Sequence, residues 1–201
     1  MNHFPSLNFQ SNTAICKYVA ENTQKYDTWT CGYRNTLILL SFFEIPSSIE
    51  ELQIILEQMW NDGFDPDGKQ QLFPVVGTRK WIGPTEVYLI LLYFQIESTI
   101  VDMPSILKFD QLIDKICTEF LFSLADPLLV VDTPPIFFQY EGHSNLIVGV
   151  DECGLYILDS IAGPKYLECS QLRNQHEQYQ ILIVKGHLMK IPSKTITSIR
   201  L

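Results

Sequence analysis

The chain has 201 residues, of which 46% are hydrophobic and 18% charged, and its formal net charge is −9. This length and composition predict one globular domain over residues 1–201 with a buried core, and they exclude an intrinsically disordered chain. Without a basic face the protein is not expected to bind nucleic acid. An acidic surface would suit a basic partner, or would simply keep the protein soluble.

The sequence has no apolar run close to the ~20 residues that a membrane helix needs. Its first residues do not follow the signal-peptide pattern of a basic region before an apolar one. We therefore expect a soluble monomer that does not engage a membrane and is located in the cytoplasm, the nucleus or both. The five cysteines are odd in number and include no Cys-x-x-Cys pair. We therefore expect neither a disulfide framework nor a zinc site, and no other metal or cofactor.

The first half of the chain is predicted to be mainly helical after an extended lead-in at residues 1–12. Apolar periodicity and capping signals, including a Ser48-x-x-Glu51 capping box, predict four helices: residues 13–22, 31–43, 48–60 and 84–94. Residues 61–83 between the last two are predicted to be a long irregular region that forms one wall of a cleft. Its aspartates lack the spacing of a calcium-binding loop.

The second half of the chain is predicted to be mainly a sheet. Short segments rich in β-branched and aromatic residues predict strands at 96–102, 128–131, 136–140, 143–150, 155–158 and 180–185. Two further helices are predicted at 109–122 and 169–177. Helices followed by antiparallel strands indicate an α+β fold in which the helices cover one side of the sheet.

Cys31 is the first candidate for chemistry. As the first residue of its helix, it would place its thiol over unpaired backbone N–H groups and at the positive end of the helix dipole, a field that favours the thiolate. Gly32 would leave room for a substrate backbone close to the sulfur. The alternative is an inert thiol that packs as a small hydrophobe.

His143 begins a predicted buried strand. A cysteine at a helix start facing a histidine at a strand start is the arrangement of papain-type peptidases, in which the histidine accepts the thiol proton and later protonates the leaving amine. If residues 143–150 and 154–159 form a hairpin with its midpoint at residue 151, Asp159 lies level with His143 and can orient its ring. Alternatively, Asp159 is a turn former or a helix cap.

Acyl transfer also needs hydrogen-bond donors for the oxyanion. The backbone N–H of Cys31 is one expected donor, and the side-chain amide of Gln139, four residues before His143, is the other. Less favoured alternatives are Gln24, Tyr26 and Asn35.

Three segments together resemble one known peptidase family: Trp29-Thr30-Cys31-Gly32-Tyr33-Arg34-Asn35, Lys80-Trp81-Ile82-Gly83-Pro84-Thr85-Glu86, and Gln139-Tyr140-Glu141-Gly142-His143-Ser144 with Leu158-Asp159. This family contains the ubiquitin-fold-modifier-specific proteases and the zinc-finger ubiquitin peptidase related to them. The resemblance implies a papain-like cysteine peptidase fold, with helices packed on a mainly antiparallel sheet, and it implies that the chain is the catalytic domain.

The resemblance also implies the roles of the site residues: Cys31 is the nucleophile, His143 the base, Asp159 the orienting acid and Gln139 an oxyanion donor. The modifier-specific branch carries its acid two residues before the histidine, where this chain has Glu141. The later Asp159 matches the ubiquitin-cleaving branch, so the resemblance implies a deubiquitinase that acts on ubiquitin or polyubiquitin chains. The alternatives are a protease for another ubiquitin-like modifier and a non-catalytic ubiquitin-binding module.

Ubiquitin ends in Leu-Arg-Gly-Gly, and a narrow trench that excludes side chains beside the scissile bond would suit that tail. We expect Trp81 to form a wall of the trench and Glu86 to pair with the arginine. Core packing is an equal alternative for Trp81, and Glu86 would also favour the first turn of its own helix. Thr30 stands where family members commonly have glycine, which would narrow the approach to the sulfur.

Overall fold

The computed structural model of the chain describes the following residues: 28–103, 111, 113–116, 134–140, 142–150, 154–160, 162–168, 170–171, 178–187 and 199–200. Some predicted elements lie wholly or mostly outside the described residues: the lead-in at 1–12, the helices at 13–22, 109–122 and 169–177, and the strand at 128–131. That residues 1–201 form a single domain stays a prediction.

Four helices form in the first part of the described chain: α1 Cys31–Phe42, α2 Ile49–Asn61, α3 Pro66–Leu72 and α4 Pro84–Tyr93. The start of α2 is the predicted capping box. The Glu51 N–H donates to Ser48 Oγ at 3.2 Å, and the Ser48 N–H donates to Glu51 Oε2 at 2.8 Å. The predicted bounds of α1, α2 and α4 agree with the structure to within one or two residues.

The prediction of an irregular region over residues 61–83 is wrong for residues 66–72, which form α3. Asp65 caps this helix, because its Oδ1 accepts the Gly68 N–H at 3.2 Å, and Pro66 stands at the first helical position. None of the residues of α3 is buried. A short exposed helix has no apolar periodicity, so the polar composition alone indicated a turn.

Seven strands form one sheet in the order β5-β4-β3-β2-β6-β1-β7. Their bounds are β1 Ile96–Met103, β2 Ile136–Tyr140, β3 His143–Val150, β4 Gly154–Asp159, β5 Gly163–Glu168, β6 Tyr179–His187 and β7 Ile199–Arg200. Neighbouring strands are antiparallel except for the short parallel pair of β1 and β7. The predicted α+β fold with a mainly antiparallel sheet is confirmed, and β5 and β7 are additions to it.

The sheet buries apolar side chains on both faces. Phe137 and Leu146 lie in the larger core, together with the buried residues of α1, α2 and α4. Phe138 and Ile147, their neighbours along the strands, point to the opposite face and pack with Ile116 in the second core. The central strands β2, β3, β4 and β6 are therefore apolar on both sides, which is why much of their sequence is hydrophobic.

The hairpin of β3 and β4 fixes the position of Asp159 relative to His143. The predicted register, with these two residues directly opposite, is wrong by two residues, because Leu146 pairs with Leu158. The turn is centred later in the chain than predicted, and a β-bulge at Val148 compensates for part of the difference. Since the error is an even number of residues, Asp159 stays on the face of His143 and reaches it as a diagonal neighbour.

Candidate active site

Cys31 is the first residue of α1, as predicted. Its thiol is free and the residue is 2% exposed. Thr30 in the N-cap position makes no side-chain capping hydrogen bond, and the first turn of α1 contains no acidic residue. The positive end of the helix dipole therefore acts on the thiol without competition from a capping side chain or a carboxylate of the first turn.

Gly32 has a role other than the predicted one. A Cβ atom at this position would lie 2.5 Å from the carbonyl oxygen of Ile82 and 2.7 Å from its Cγ1. The space beside Gly32 is therefore filled by the chain that leads into α4, and the expectation that it admits a substrate backbone is wrong. Glycine is needed here because α1 packs directly on the backbone of Ile82.

The His143 ring lies between a thiol and a carboxylate. Its Nε2 is 3.1 Å from Asp159 Oδ2, and the thiol of Cys31 is hydrogen-bonded to the same ring. Because Nε2 faces Asp159, Nδ1 is the nitrogen that remains for Cys31. Asp159 is 4% exposed, and its other oxygen, Oδ1, accepts the Ala162 N–H at 3.0 Å. A buried carboxylate held in this way fixes both the orientation of the imidazole and its tautomer.

The two groups shift each other's protonation. The hydrogen bond with Asp159 and then that with Cys31 raise the pKa of His143 from 6.5 to about 9, against the opposing effect of burial. Burial raises the pKa of the Cys31 thiol, but hydrogen bonds with His143 and Ser144 outweigh burial and bring the pKa below its ordinary value of 9.0. The pair therefore favours thiolate and imidazolium, the reactive form of a cysteine nucleophile.

Gln139 lies close to the start of α1, and the segment before α4 contacts both of them. Ile82 contacts Gly32, and the next residue, Gly83, lies against the Gln139 amide, since a Cβ atom on Gly83 would be 3.2 Å from Gln139 Oε1. On the sheet, Gln139 pairs with Ser144, the neighbour of His143. This placement is compatible with the predicted oxyanion role of Gln139, which stays a prediction.

Trp81 lies at the surface beside the histidine strand. The residue is 49% exposed, and its ring faces Gly142, where an added Cβ atom would be 3.6 Å from the indole. An indole in this position next to His143 is available to a bound substrate. A residue with this exposure is not part of the core, so the alternative given for Trp81 is wrong. The role of Trp81 as a wall of the trench stays a prediction.

Glu86 is buried, and its carboxylate closes the first turn of α4. Its Oε2 accepts the Gly83 N–H at 2.8 Å, and the residue is 8% exposed. Burial raises the pKa of this carboxyl group above its ordinary value. The structure thus gives Glu86 the helix-starting role that was its alternative, while pairing with a substrate arginine stays a prediction.

Two residues of the site were not anticipated. The backbone of Ser144 is hydrogen-bonded to Cys31, and Lys165 on β5 places its Nζ 2.7 Å from Asp159 Oδ2. Ser144 directly follows His143, which was the available signal for it. Lys165 lies on an edge strand that contains Pro164, and a proline lowers the strand signal although edge strands tolerate it.

Within the described residues, no three or more His, Cys, Asp or Glu side chains are grouped so as to bind a metal ion. In the same part of the chain no helix is long and apolar enough to cross a bilayer.

Papain-like cysteine peptidases cleave amide bonds with a thiol at the start of a helix, an imidazole that takes its proton, and an acceptor that orients the imidazole. The fold and the site place this chain in that class. The chain belongs to peptidase family C78, whose model matches residues 7–178. The family resemblance of the three sequence segments is thereby confirmed.

The chain is similar to zinc finger-containing ubiquitin peptidase 1 of Homo sapiens, with 31% identity over 80% of this chain and 35% of that protein. It is also similar to ubiquitin carboxyl-terminal hydrolase mug105 of Schizosaccharomyces pombe, with 27% identity over 60% of this chain and 54% of that protein. Among solved structures, UfSP from C. elegans matches with a TM-score of 0.55 and 17% identity, over 79% of this chain and 30% of that one. This structural likeness confirms the predicted papain-like fold.

Proposed function

We propose that the chain is a deubiquitinase, which hydrolyses the isopeptide bond after the C-terminal glycine of ubiquitin. The observation that carries the proposal is the position of the acid: Asp159, on the strand after His143, faces the ring at 3.1 Å. An acid on this later strand is the pattern of the ubiquitin-cleaving branch of the family. The names of the human and fission-yeast relatives, both ubiquitin hydrolases, support the same substrate.

In the proposed reaction the Cys31 thiolate attacks the carbonyl carbon of the terminal glycine and forms a C–S bond. The Cys31 N–H and the Gln139 amide donate to the oxyanion. As the C–N bond breaks, His143 gives its proton to the leaving lysine amine. His143 then takes one proton from water, whose oxygen attacks the thioester, and the thiolate leaves. The new carboxylic acid of ubiquitin loses the second proton to solvent and is released as a carboxylate.

The burial of the nucleophile supports a tail that ends in two glycines. With Cys31 2% exposed, little space beside the sulfur is open to a bulky side chain of a substrate. A chain whose last two residues have no side chains meets the least steric resistance there. Trp81, 49% exposed beside Gly142, offers an apolar surface for the residues that precede those glycines.

The second candidate is a protease for another ubiquitin-like modifier. The chain shares the fold of UfSP from C. elegans, and at 17% identity this likeness bears on the fold alone. Against it stands the sequence before His143, where Glu141 and Gly142 replace the Asp-Pro of the modifier-specific branch. A binding module without catalysis is the third candidate, and it has no need of a thiol paired with an imidazole.

Two probes distinguish these candidates, one made from ubiquitin and one from the ubiquitin-fold modifier, each with an electrophile at its C-terminus. We expect a covalent adduct with the ubiquitin probe alone. The adduct should be lost in Cys31→Ala and kept in Cys16→Ala, which also removes one thiol. An adduct with the other probe alone would assign the second candidate, and no adduct with either would favour the binding module.

A further inference from the structure

A second cation lies at the acid of the site. Lys165 on β5 places its Nζ 2.7 Å from Asp159 Oδ2, the same oxygen that the His143 Nε2 approaches at 3.1 Å. The proposed reaction assigns no part to this lysine, and no sequence motif of the chain marks it.

The geometry of Asp159 makes this contact specific to one oxygen. Its Oδ1 accepts the Ala162 N–H at 3.0 Å, and this bond fixes the carboxylate with Oδ2 turned toward both cations. A carboxylate oxygen has two lone pairs and can accept from both nitrogens at once. Among the described residues, the charged or titratable groups placed around His143 are Cys31 on α1, Asp159 on β4 and, through Asp159, Lys165 on β5. Tyr140 on β2 also faces the imidazole, edge-on, with the two ring centroids 6.5 Å apart.

Two positive groups bound to one oxygen compete for its charge and repel each other. The side chains of Lys165 and His143 are 43% and 33% exposed, so solvent weakens this repulsion without removing it. When His143 is neutral during the reaction, Lys165 still pairs with Asp159, so the buried carboxylate keeps a counter-charge throughout the cycle.

This competition affects the step in which His143 acts as an acid. A carboxylate that paired with the imidazolium alone would hold the proton tightly, and an acid whose pKa lies far above the working pH donates poorly to a leaving amine. We propose that Lys165 is a positioning residue, which shares Asp159 Oδ2 with His143 and thereby limits how strongly the acid holds the imidazolium proton. The inference rests on the proposed use of His143 as acid and base, and it does not depend on which modifier is cleaved.

The direct test measures the titration of His143 by NMR of its ring in the Cys31→Ser protein, where no thiolate interferes. The signal is assigned by its loss in His143→Gln. We expect Lys165→Met to shift the His143 titration upward by about half a pH unit or more, because a nearby like charge is removed. Lys165→Arg, which keeps the charge, should leave the titration in place. Lys185→Met, which removes a lysine from β6, should also leave it in place.

A second readout uses the intact nucleophile and an isopeptide-linked substrate. In Lys165→Met, kcat should fall about twofold or more while KM is unchanged, because proton donation is affected and substrate binding is not. Lys165→Arg should restore kcat. If Lys165 served stability alone, Lys165→Met and Lys165→Arg would both contain less folded enzyme, and thermal unfolding would report this.

The proposal is overturned if the His143 titration in Lys165→Met stays in place or moves downward. A downward shift would mean that Lys165 strengthens the interaction of Asp159 with the His143 imidazolium rather than weakening it. Because the NMR experiment involves no substrate, its outcome is separate from that of the ubiquitin probes. A chain that fails to react with either probe can still show the upward shift.

Discussion

Burial and hydrogen bonding act on Cys31 in opposite directions, and the balance decides whether its thiol is a nucleophile. Burial alone would keep the thiol protonated, since a thiolate loses its hydration there. The contacts with His143 and Ser144 more than compensate, so that the pKa of Cys31 is lowered although the residue is 2% exposed. The reactivity of this residue therefore depends on the two residues that begin β3.

The role of Asp159 can be tested by Asp159→Asn, which keeps the size of the side chain and removes its charge. The hydrogen bond with Asp159 is the largest cause of the raised pKa of His143, so this pKa should fall toward 6.5. The thiolate then loses its cation at neutral pH. We expect kcat/KM to fall on the order of 100-fold or more, and the alkylation of Cys31 by iodoacetamide at pH 7 to slow in parallel. Asp67→Asn on α3 is the control, and an equal loss there would contradict a specific role.

The raised pKa of His143 also predicts how activity depends on pH. The reactive pair needs a deprotonated Cys31 and a protonated His143. Since His143 stays protonated up to about pH 9, activity should persist through neutral pH and decline as the pH rises through 9. On the acid side it should decline as Cys31 takes up its proton. A kcat/KM profile with an isopeptide-linked substrate checks this, and a rate that still rises above pH 9 would contradict the assignment.

At the scale of secondary-structure elements, α1 packs closely on the segment before α4, because Gly32 has no side chain to keep the backbone of Ile82 away. Earlier in that segment, two side chains of α2 bind the backbone. Gln53 accepts the Gly77 N–H and donates to the Thr78 carbonyl, each at 3.0 Å, and Glu57 Oε1 accepts the Val75 N–H at 2.7 Å. The loop that leads to Trp81 is therefore attached to the helices although it has no regular structure itself.

Gly32→Ala tests the contact between α1 and this segment. A Cβ atom would lie 2.5 Å from the backbone oxygen of Ile82, which cannot move aside as a flexible side chain can. Alanine would gain up to about 1 kcal/mol of helix propensity, but overpacking costs about 1–3 kcal/mol. We expect a net loss in the free energy of unfolding by denaturant, with slower alkylation of Cys31. Gly149→Ala is the control, since its Cβ atom would meet Tyr156 at an ordinary 3.4 Å.

Elements with a strong local signal were predictable, and so was the meeting of Cys31 with His143, whereas other contacts between distant segments were not. The capping box of α2, Pro84 at the start of α4 and the β-branched and aromatic residues of β2 and β3 each specify their element from adjacent residues. The pairing of Lys165 with Asp159 depends on an edge strand whose proline weakens its pattern. The register of β3 against β4 depends on a bulge at Val148, which the sequence around that residue does not mark.

For the whole molecule, charge is the property that the sequence determines most directly. The formal net charge is −9, and the proposed substrate tail carries a basic residue near its end. The chain spans about a third of the length of the human relative, and the net charge of −9 is that of these 201 residues alone. Within this chain, an acidic surface should attract a basic tail at low salt.

This attraction predicts that kcat/KM for ubiquitin substrates falls with ionic strength. Raising the salt from about 0.01 M to about 1 M shortens the screening length from about 30 Å to about 3 Å. We expect a several-fold decrease in kcat/KM over that range. Alkylation of Cys31 by the neutral reagent iodoacetamide should stay constant under the same conditions. A kcat/KM that is independent of salt would mean that the acidic residues serve solubility alone.

The edge position of β5 has a consequence for how the enzyme loses activity. In the described sheet β5 pairs with β4 alone, and edge elements open with a smaller free energy than the whole molecule needs to unfold. Lys165 lies on β5 and Ala162 lies just before it. Transient detachment of this edge would therefore break both of their hydrogen bonds to Asp159 while the two cores stay folded. Native protein would then include a minor population that is folded but less active, because Asp159 is no longer held by Ala162 and Lys165. Low concentrations of denaturant should accordingly reduce activity before the fluorescence of the buried Trp60 changes.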